Sequence, residues 1–371
     1  MDEHRTNGMT EFLRREVSAW ESMAVRKGYH AKKLRRRWLL ILGIAAAVAL
    51  SVVAVLAIAP WEDAAPPVHD GGGAEGEHGG VLLPDDTQTE ADTSGGSESE
   101  QETEQPPAAD PYAYDFSLVP VGATPIVPSN TAIKNNPVNQ TDRVIDMQDV
   151  MAAACKIPAA SGKISVLIIH THTGEGYNQE GALYLDADDE EFARSTDGTD
   201  GVVAVGALLA KRLNEAGIGT IHCKTVFDGQ SNRESYDRAA EAIAAFRMAY
   251  PSIVCVIDVH RSAAVDAQGN IVRSLAVKEG QSIAQTQVIC GMGAELTSKT
   301  NLALAMQLHQ SMEQAFSDSC AAVICKEQVL NQDLAPFSLT LEIGSSGNTQ
   351  AEALAAAEIV AASLCTLFET G

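Results

Sequence analysis

The stretch that most constrains the fold is Val166-Leu-Ile-Ile-His170-Thr-His172-Thr-Gly-Glu175-Gly-Tyr177, an aliphatic run that passes straight into two imidazoles and a carboxylate. Consecutive aliphatic residues suit a strand covered on both faces, as in a parallel sheet. In open α/β sheets ligands collect beyond the carboxyl ends of the strands, where His170, His172 and Glu175 fall. Nitrogen and oxygen donors of this kind suit zinc. The remaining ligands must then come from later strands.

Further strand-like runs at 219–225, 253–260, 283–291, 321–324 and 339–343 alternate with helical patterns at 202–216, 231–250, 301–317 and 350–368. Strands separated by helices of this length predict an α/β fold, with a mostly parallel sheet of about six strands flanked by helices. A closed eight-fold barrel, whose first strand can also carry His-x-His, needs more strand–helix units than these.

The chain ahead of this domain reads in three parts. Residues 1–37 carry ten Lys or Arg against five Asp or Glu, a net charge of +5 in a chain whose total is −23. Residues 38–59 form an uncharged run of 22, which at 1.5 Å per residue spans roughly 33 Å, enough for one transmembrane helix. Lys32, Lys33, Arg35, Arg36 and Arg37 precede it while Glu62 and Asp63 follow, so the positive-inside rule predicts a cytoplasmic amino terminus and an extracytoplasmic remainder anchored in the cell membrane. Residues 60–115, acidic and poor in aliphatic side chains, read as a disordered linker with a reach of about 40 Å. The folded domain is then 116–371. No Lys or Arg occurs from Trp38 through Ile133, and the strong acidity beyond the first turns argues against nucleic acid as a partner. Seven cysteines with no CxxC pair read as buried free thiols, although Cys320 and Cys325 are near enough in sequence for a disulfide.

A second strand ends in histidine: Ile253-Val-Cys-Val-Ile-Asp258-Val-His260. Residues two apart project from one face of a strand, so Asp258 is placed to support a ligand beside His260. Glu342, within Leu339-Thr-Leu-Glu342-Ile-Gly344, is a carboxylate in an aliphatic strand. Buried unpaired it would be costly, so it must meet a cation, hydrogen-bond donors or water. Beside a metal it suits general acid–base work; without one it is a structural ion pair. Arg261 suits a substrate carboxylate or developing negative charge.

With these residues in view, His170-Thr-His172-Thr-Gly-Glu175-Gly-Tyr177, Ile257-Asp258-Val-His260-Arg261, Asn331-Gln332-Asp333-Leu334 and Leu341-Glu342-Ile-Gly344, followed by Asn348-Thr349 and Glu352-Ala353, resemble the stage II sporulation protein P family from about residue 124 onward. The resemblance implies the fold of the zinc-dependent N-acetylmuramoyl-L-alanine amidases and cleavage of the amide between N-acetylmuramic acid and L-alanine in peptidoglycan during engulfment. An endopeptidase activity on stem-peptide cross-links is also attributed to the family. The partner implied is stage II sporulation protein D, a lytic transglycosylase. Carried over residue by residue, the metal ligands are His172, Glu175 and His260, with His170 the other candidate in the first loop and Glu342 the catalytic carboxylate. The chain departs from the family at Ser262, where members commonly carry Asp, and at Gly174, where a longer polar residue is common. A non-catalytic wall-binding scaffold on the same anchor is the competing reading; a scaffold has no need of Glu342.

Overall fold

The computed structural model describes residues 110–370 apart from 133–136, 188, 190–191, 196–198 and 230–233. The expected cytoplasmic tail, transmembrane helix and nearly all of the linker lie outside the described residues. Among those described, no helix is long and apolar enough to cross a membrane.

In chain order the strands are β1 (Thr124–Ser129), β2 (Val138–Asn139), β3 (Ile157–Ala159), β4 (Ile164–Ile169), β5 (Tyr184–Leu185), β6 (Gly219–His222), β7 (Cys255–Ser262), β8 (Ile271–Lys278), β9 (Gln281–Ala284), β10 (Thr286–Gly291), β11 (Ile324–Lys326), β12 (Phe337–Ser345) and β13 (Phe368–Thr370). The α-helices are α1 (Met147–Ala152), α2 (Gly201–Glu215), α3 (Ser235–Ala249), α4 (Ser298–Ala315) and α5 (Gln350–Cys365).

The central sheet has seven strands in the order β2-β11-β10-β12-β7-β4-β6. Every neighbouring pair is parallel except β10 with β12. Its middle is dry: Val166, Leu167, Ile168 and Ile169 of β4 are all 0% exposed. Leu167, Ile169 and Val256 meet Phe227 together with Ala239 and Ile243 of α3 on one face. Helices α2, α5 and α4 pack side by side over the other.

The sheet therefore agrees with the expected architecture in kind and exceeds it in extent. A second sheet, β5-β1-β8-β9, was not legible in the apolar pattern. The run read as one strand over 283–291 is two: β9 closes a hairpin with β8, and β10 enters the central sheet. Glu279 and Gly280, at φ 52° and 78°, turn the β8–β9 hairpin, a pair of positive angles that suits a two-residue loop. Between the two strands Gln285 is 2% exposed, and its amide bridges Asn130, Thr131, Ser274 and Asp318. The polar side chain is what breaks an otherwise continuous apolar run. All seven cysteines are free thiols, Cys320 and Cys325 included.

Candidate active site

Strand alternation decides which of the two loop histidines faces the site. Ile169 stands in register with Asp258, so His170, one residue further, projects to the opposite face from Asp258 and His260. There it is 0% exposed beneath α2. Its Nδ1 lies 2.9 Å from the Val259 carbonyl oxygen and its Nε2 lies 2.8 Å from His222 Nε2. A carbonyl only accepts, so the partners assign the His170 proton to Nδ1, and Nε2 accepts from His222. Gly206 of α2 makes room for the pair, since a Cβ there would stand 2.5 Å from the His170 ring. With both ring nitrogens engaged on the far face, His170 leaves the expected ligand set, a correction that follows from the two-residue period of the strand.

This buried pair has a consequence for stability. Burial pushes His170 down to about 4 and His222 down to about 3. Below the ordinary histidine range the unfolded chain binds protons that the folded chain refuses, so stability rises with pH across this window and is lost as pH falls from about 6.5 toward 4. The share of this pair, a loss on the order of 2 kcal/mol between pH 7.5 and pH 5, is read by denaturant titration as the difference in slope between wild type and His222→Leu, because His260, held high, acts with the opposite sign. His222→Leu should flatten that slope; an unchanged slope would contradict the assignment.

Immediately after β4 the chain turns. Thr173 Oγ donates to the His170 carbonyl, and the Glu175 N–H donates to the His172 carbonyl at 3.1 Å. This tight loop lifts His172 and Glu175 to the face that carries His260. The Glu175 carbonyl receives the Val202 N–H at the start of α2 at 3.0 Å. Gly201, at φ 59°, permits that approach, because a Cβ would strike the same carbonyl.

His172 and His260 meet edge to face with ring centroids 5.3 Å apart. His260 Nδ1 is 3.3 Å from Glu175 Oε2, and its Nε2 is 3.1 Å from Asp258 Oδ1, though that second contact is not an aligned hydrogen bond. Asp258 is fixed from the other side by the Thr171 N–H at 2.9 Å and the Thr171 hydroxyl at 2.5 Å. Burial alone would push His260 down; Asp258 and Glu175 outweigh it and hold the imidazole well above its usual range. Burial likewise opposes ionisation of Glu175 and Asp258, yet His260 and the hydrogen bonds from Arg261 and Thr171 keep both carboxylates low.

Glu342 is the register partner of His260 across β12 and β7, so the two side chains leave the sheet on one face. Burial raises its carboxyl, against the pull of Lys326 and His260. A carboxylate made more basic by burial suits the part of general base. Arg261 gives a different picture from the one its sequence position suggests. Its Nε donates to the Gly176 carbonyl at 3.0 Å, an Nη to Ala193 at 3.3 Å and another to Ser262 at 3.4 Å, while its backbone N–H donates to Glu175 at 2.9 Å. It clips the Glu175 loop to β7 and lines the cleft beside it.

That cleft, of about 250 Å³, is bounded by His172, Gly174, Glu175, Arg194, Asp228 and Arg261. Arg194 and Asp228 had no signal in the sequence. Asp228 accepts the Gly174 N–H through both oxygens, at 3.1 and 3.0 Å. A Cβ on Gly174 would meet Asp228 at 3.0 Å and Arg194 at 3.2 Å, so glycine here keeps the cleft open. Tyr177 donates to the Ile343 carbonyl, and Gln332 ties Gly291, Ile289 and Thr340 together, so both serve the fold.

The donors fit a divalent cation by chemistry. His260 touches both His172 and Glu175, and a further carboxylate, Asp258, stands behind it, the arrangement that orients a metal-binding histidine. Glu175 meanwhile spends its carboxylate on the Arg261 N–H and His260, and among the described residues no three such donors stand together as a ready cage.

Imidazoles and carboxylates thus stand at the carboxyl edge of the mostly parallel sheet of an α/β protein. The family model for stage II sporulation protein P matches residues 84–364, and the chain belongs to that family. No curated protein matches. Among solved structures, the chain is similar to the N-acetylmuramoyl-L-alanine amidase AmiC2 of Nostoc punctiforme, at 15% identity and a TM-score of 0.32 over 56% of this chain and 97% of that one. Apo Ami1 of Mycobacterium abscessus shows 14% identity and a TM-score of 0.32 over 56% and 99%. The CwlD amidase of Clostridioides difficile, solved with the GerS lipoprotein, shows 12% and 0.34 over 54% and 94%. Likenesses this slight do not carry an activity across.

Proposed function

We propose that this chain is a zinc-dependent peptidoglycan hydrolase that cleaves the amide between N-acetylmuramic acid and L-alanine during engulfment in sporulation. What supports the reading is one observation: His260 meets His172 edge to face, lies 3.3 Å from Glu175 and pairs in register with Glu342, in a chain of the stage II sporulation protein P family. Residues 38–59 anchor it in the cell membrane with the catalytic domain outside the cytoplasm. Stem-peptide cross-links are a second substrate, and stage II sporulation protein D consumes the glycan left behind.

In this reading His172, Glu175 and His260 hold the ion, and Asp258 orients His260. The chemistry such an ion supplies is a water made acidic, with a pKa of about 7, and a polarised carbonyl. Glu342 accepts a proton from the attacking water and returns it to the departing amine of L-alanine. Burial raises its carboxyl, which strengthens it as the base that takes the proton. Arg261 keeps the Glu175 loop against β7 so that the donors stay assembled.

The test is mass spectrometry of purified peptidoglycan incubated with the full chain. Stem peptides bearing a free L-alanine amine are expected with zinc, and a chelator should remove at least about 90% of the release, as for an ion that supplies the attacking hydroxide. Absence of release with zinc present, in detergent and with the transglycosylase partner added, would favour the scaffold.

A further inference from the structure

The Asn331-Gln332 turn finds no use in the reaction as described, yet it is built with care. Leu330 and Asn331 both take left-handed backbone angles, φ 55° and 56°. Gln332 fastens one end of the turn to β10 and β12. From the other end Asn331 Nδ2 donates to the Tyr236 carbonyl at 2.9 Å. The turn thus ties the interior strands β10 and β12 to the first turn of α3, the helix that covers the face bearing Asp258 and His260.

Tyr236 stands over the site. Its ring meets His172 edge to face, with centroids 5.7 Å apart and planes at 85°, and the neighbouring Ser235 hydroxyl is 3.4 Å from His172 Nδ1. Among the described residues the Tyr236 hydroxyl has no hydrogen-bond partner, although its backbone carbonyl has one. A phenol so placed keeps its proton near neutral pH and has it free to donate.

Resting on the amidase reading above, we propose that the Tyr236 hydroxyl donates a hydrogen bond to the scissile carbonyl oxygen as that oxygen gains negative charge, and that the Asn331 turn positions it. In the reaction the water oxygen bonds to the carbonyl carbon and the C–N bond breaks. One water proton travels through Glu342 to the amine nitrogen, and the other leaves with the new carboxylic acid. Tyr236 retains its own proton throughout. Its contribution is a donor aimed at developing charge, the contribution of an oxyanion hole.

The experiment compares the full chain with Tyr236→Phe, which preserves the ring against His172, and with Asn331→Gly, which tolerates the positive φ but removes the anchor. With a soluble muramyl peptide, kcat of Tyr236→Phe should fall on the order of 100-fold while KM moves less than about three-fold. Asn331→Gly should lose about ten-fold, as a positioning residue does. Two readouts are independent of turnover. Zinc affinity, read by competition with a chromophoric chelator, should be unchanged in Tyr236→Phe. Affinity for a tetrahedral phosphinate analogue of the muramoyl–alanine linkage should drop in parallel with kcat/KM, while affinity for the product stem peptide holds. A Tyr236→Phe chain with kcat within about two-fold of wild type overturns the proposal. So does a fall in zinc affinity that tracks the fall in kcat, because the ring would then serve only His172. An inert wild-type chain overturns the amidase reading itself and this inference with it, and is told apart by the first assay alone.

Discussion

If the proposed amidase reading holds, Glu342→Gln should leave the fold and the zinc affinity unchanged but lower the release of free L-alanine amines by about 100-fold to 10,000-fold, the range for loss of a general acid–base group. The substitution is nearly isosteric, and Glu342 lies beside His260 on the next strand, so the sheet has no reason to rearrange. The carboxylate can no longer take a proton, while burial that now raises it has nothing further to act on. Thermal unfolding and metal content, measured alongside the mass spectrum of the products, separate this outcome from misfolding. Activity within ten-fold of wild type would remove Glu342 from the chemistry.

Asp258→Asn tests the support behind the ligands. Asp258 accepts two hydrogen bonds from Thr171 and faces His260 Nε2 at 3.1 Å. The Thr171 N–H bonds Oδ1, which also faces His260 Nε2, and the Thr171 hydroxyl bonds Oδ2, so an amide keeps only one of these acceptors and puts its N–H₂ in place of the other. It also removes the charge that biases the imidazole. Zinc affinity is expected to fall about 10-fold to 100-fold, as for loss of a carboxylate behind a metal-bound histidine. Titration of the purified variant with zinc against a chelator of known affinity reads it directly. An affinity matching wild type would mean that Asp258 serves only the β4–β7 junction.

How much of this was legible in advance depended on period and register. His172, Glu175, His260, Asp258 and Glu342 stand at or just past the ends of apolar strands, and that placement is written in the sequence because a parallel sheet buries its strands on both faces. The choice between His170 and His172 needed the pairing of Ile169 with Asp258, a relation across the sheet that no single strand encodes. Tyr236, Arg194 and Asp228 enter the site from a helix and from loops, with no local pattern to mark them. The β8–β9 hairpin was hidden because its strands merge with the apolar run of β10, and only the hydrogen bonding of Gln285 reveals the break. Arg261 looked like a substrate contact because its charge is visible in the sequence, whereas the carbonyls that occupy it are not.

The parallel pairing of β7 with β12 also bears on when the protein acquires its chemistry. His172 and Glu342 are 170 residues apart in the chain, and β12 pairs with β7 only after the hairpin, β10, α4 and β11 have been made. Contacts of such long sequence separation close late and slowly. During synthesis and delivery, a wall-cutting chain built this way would hold its ligand residues and its proton carrier apart until β12 is in place, so a partly emerged molecule has no cutting edge to turn on the envelope that surrounds it.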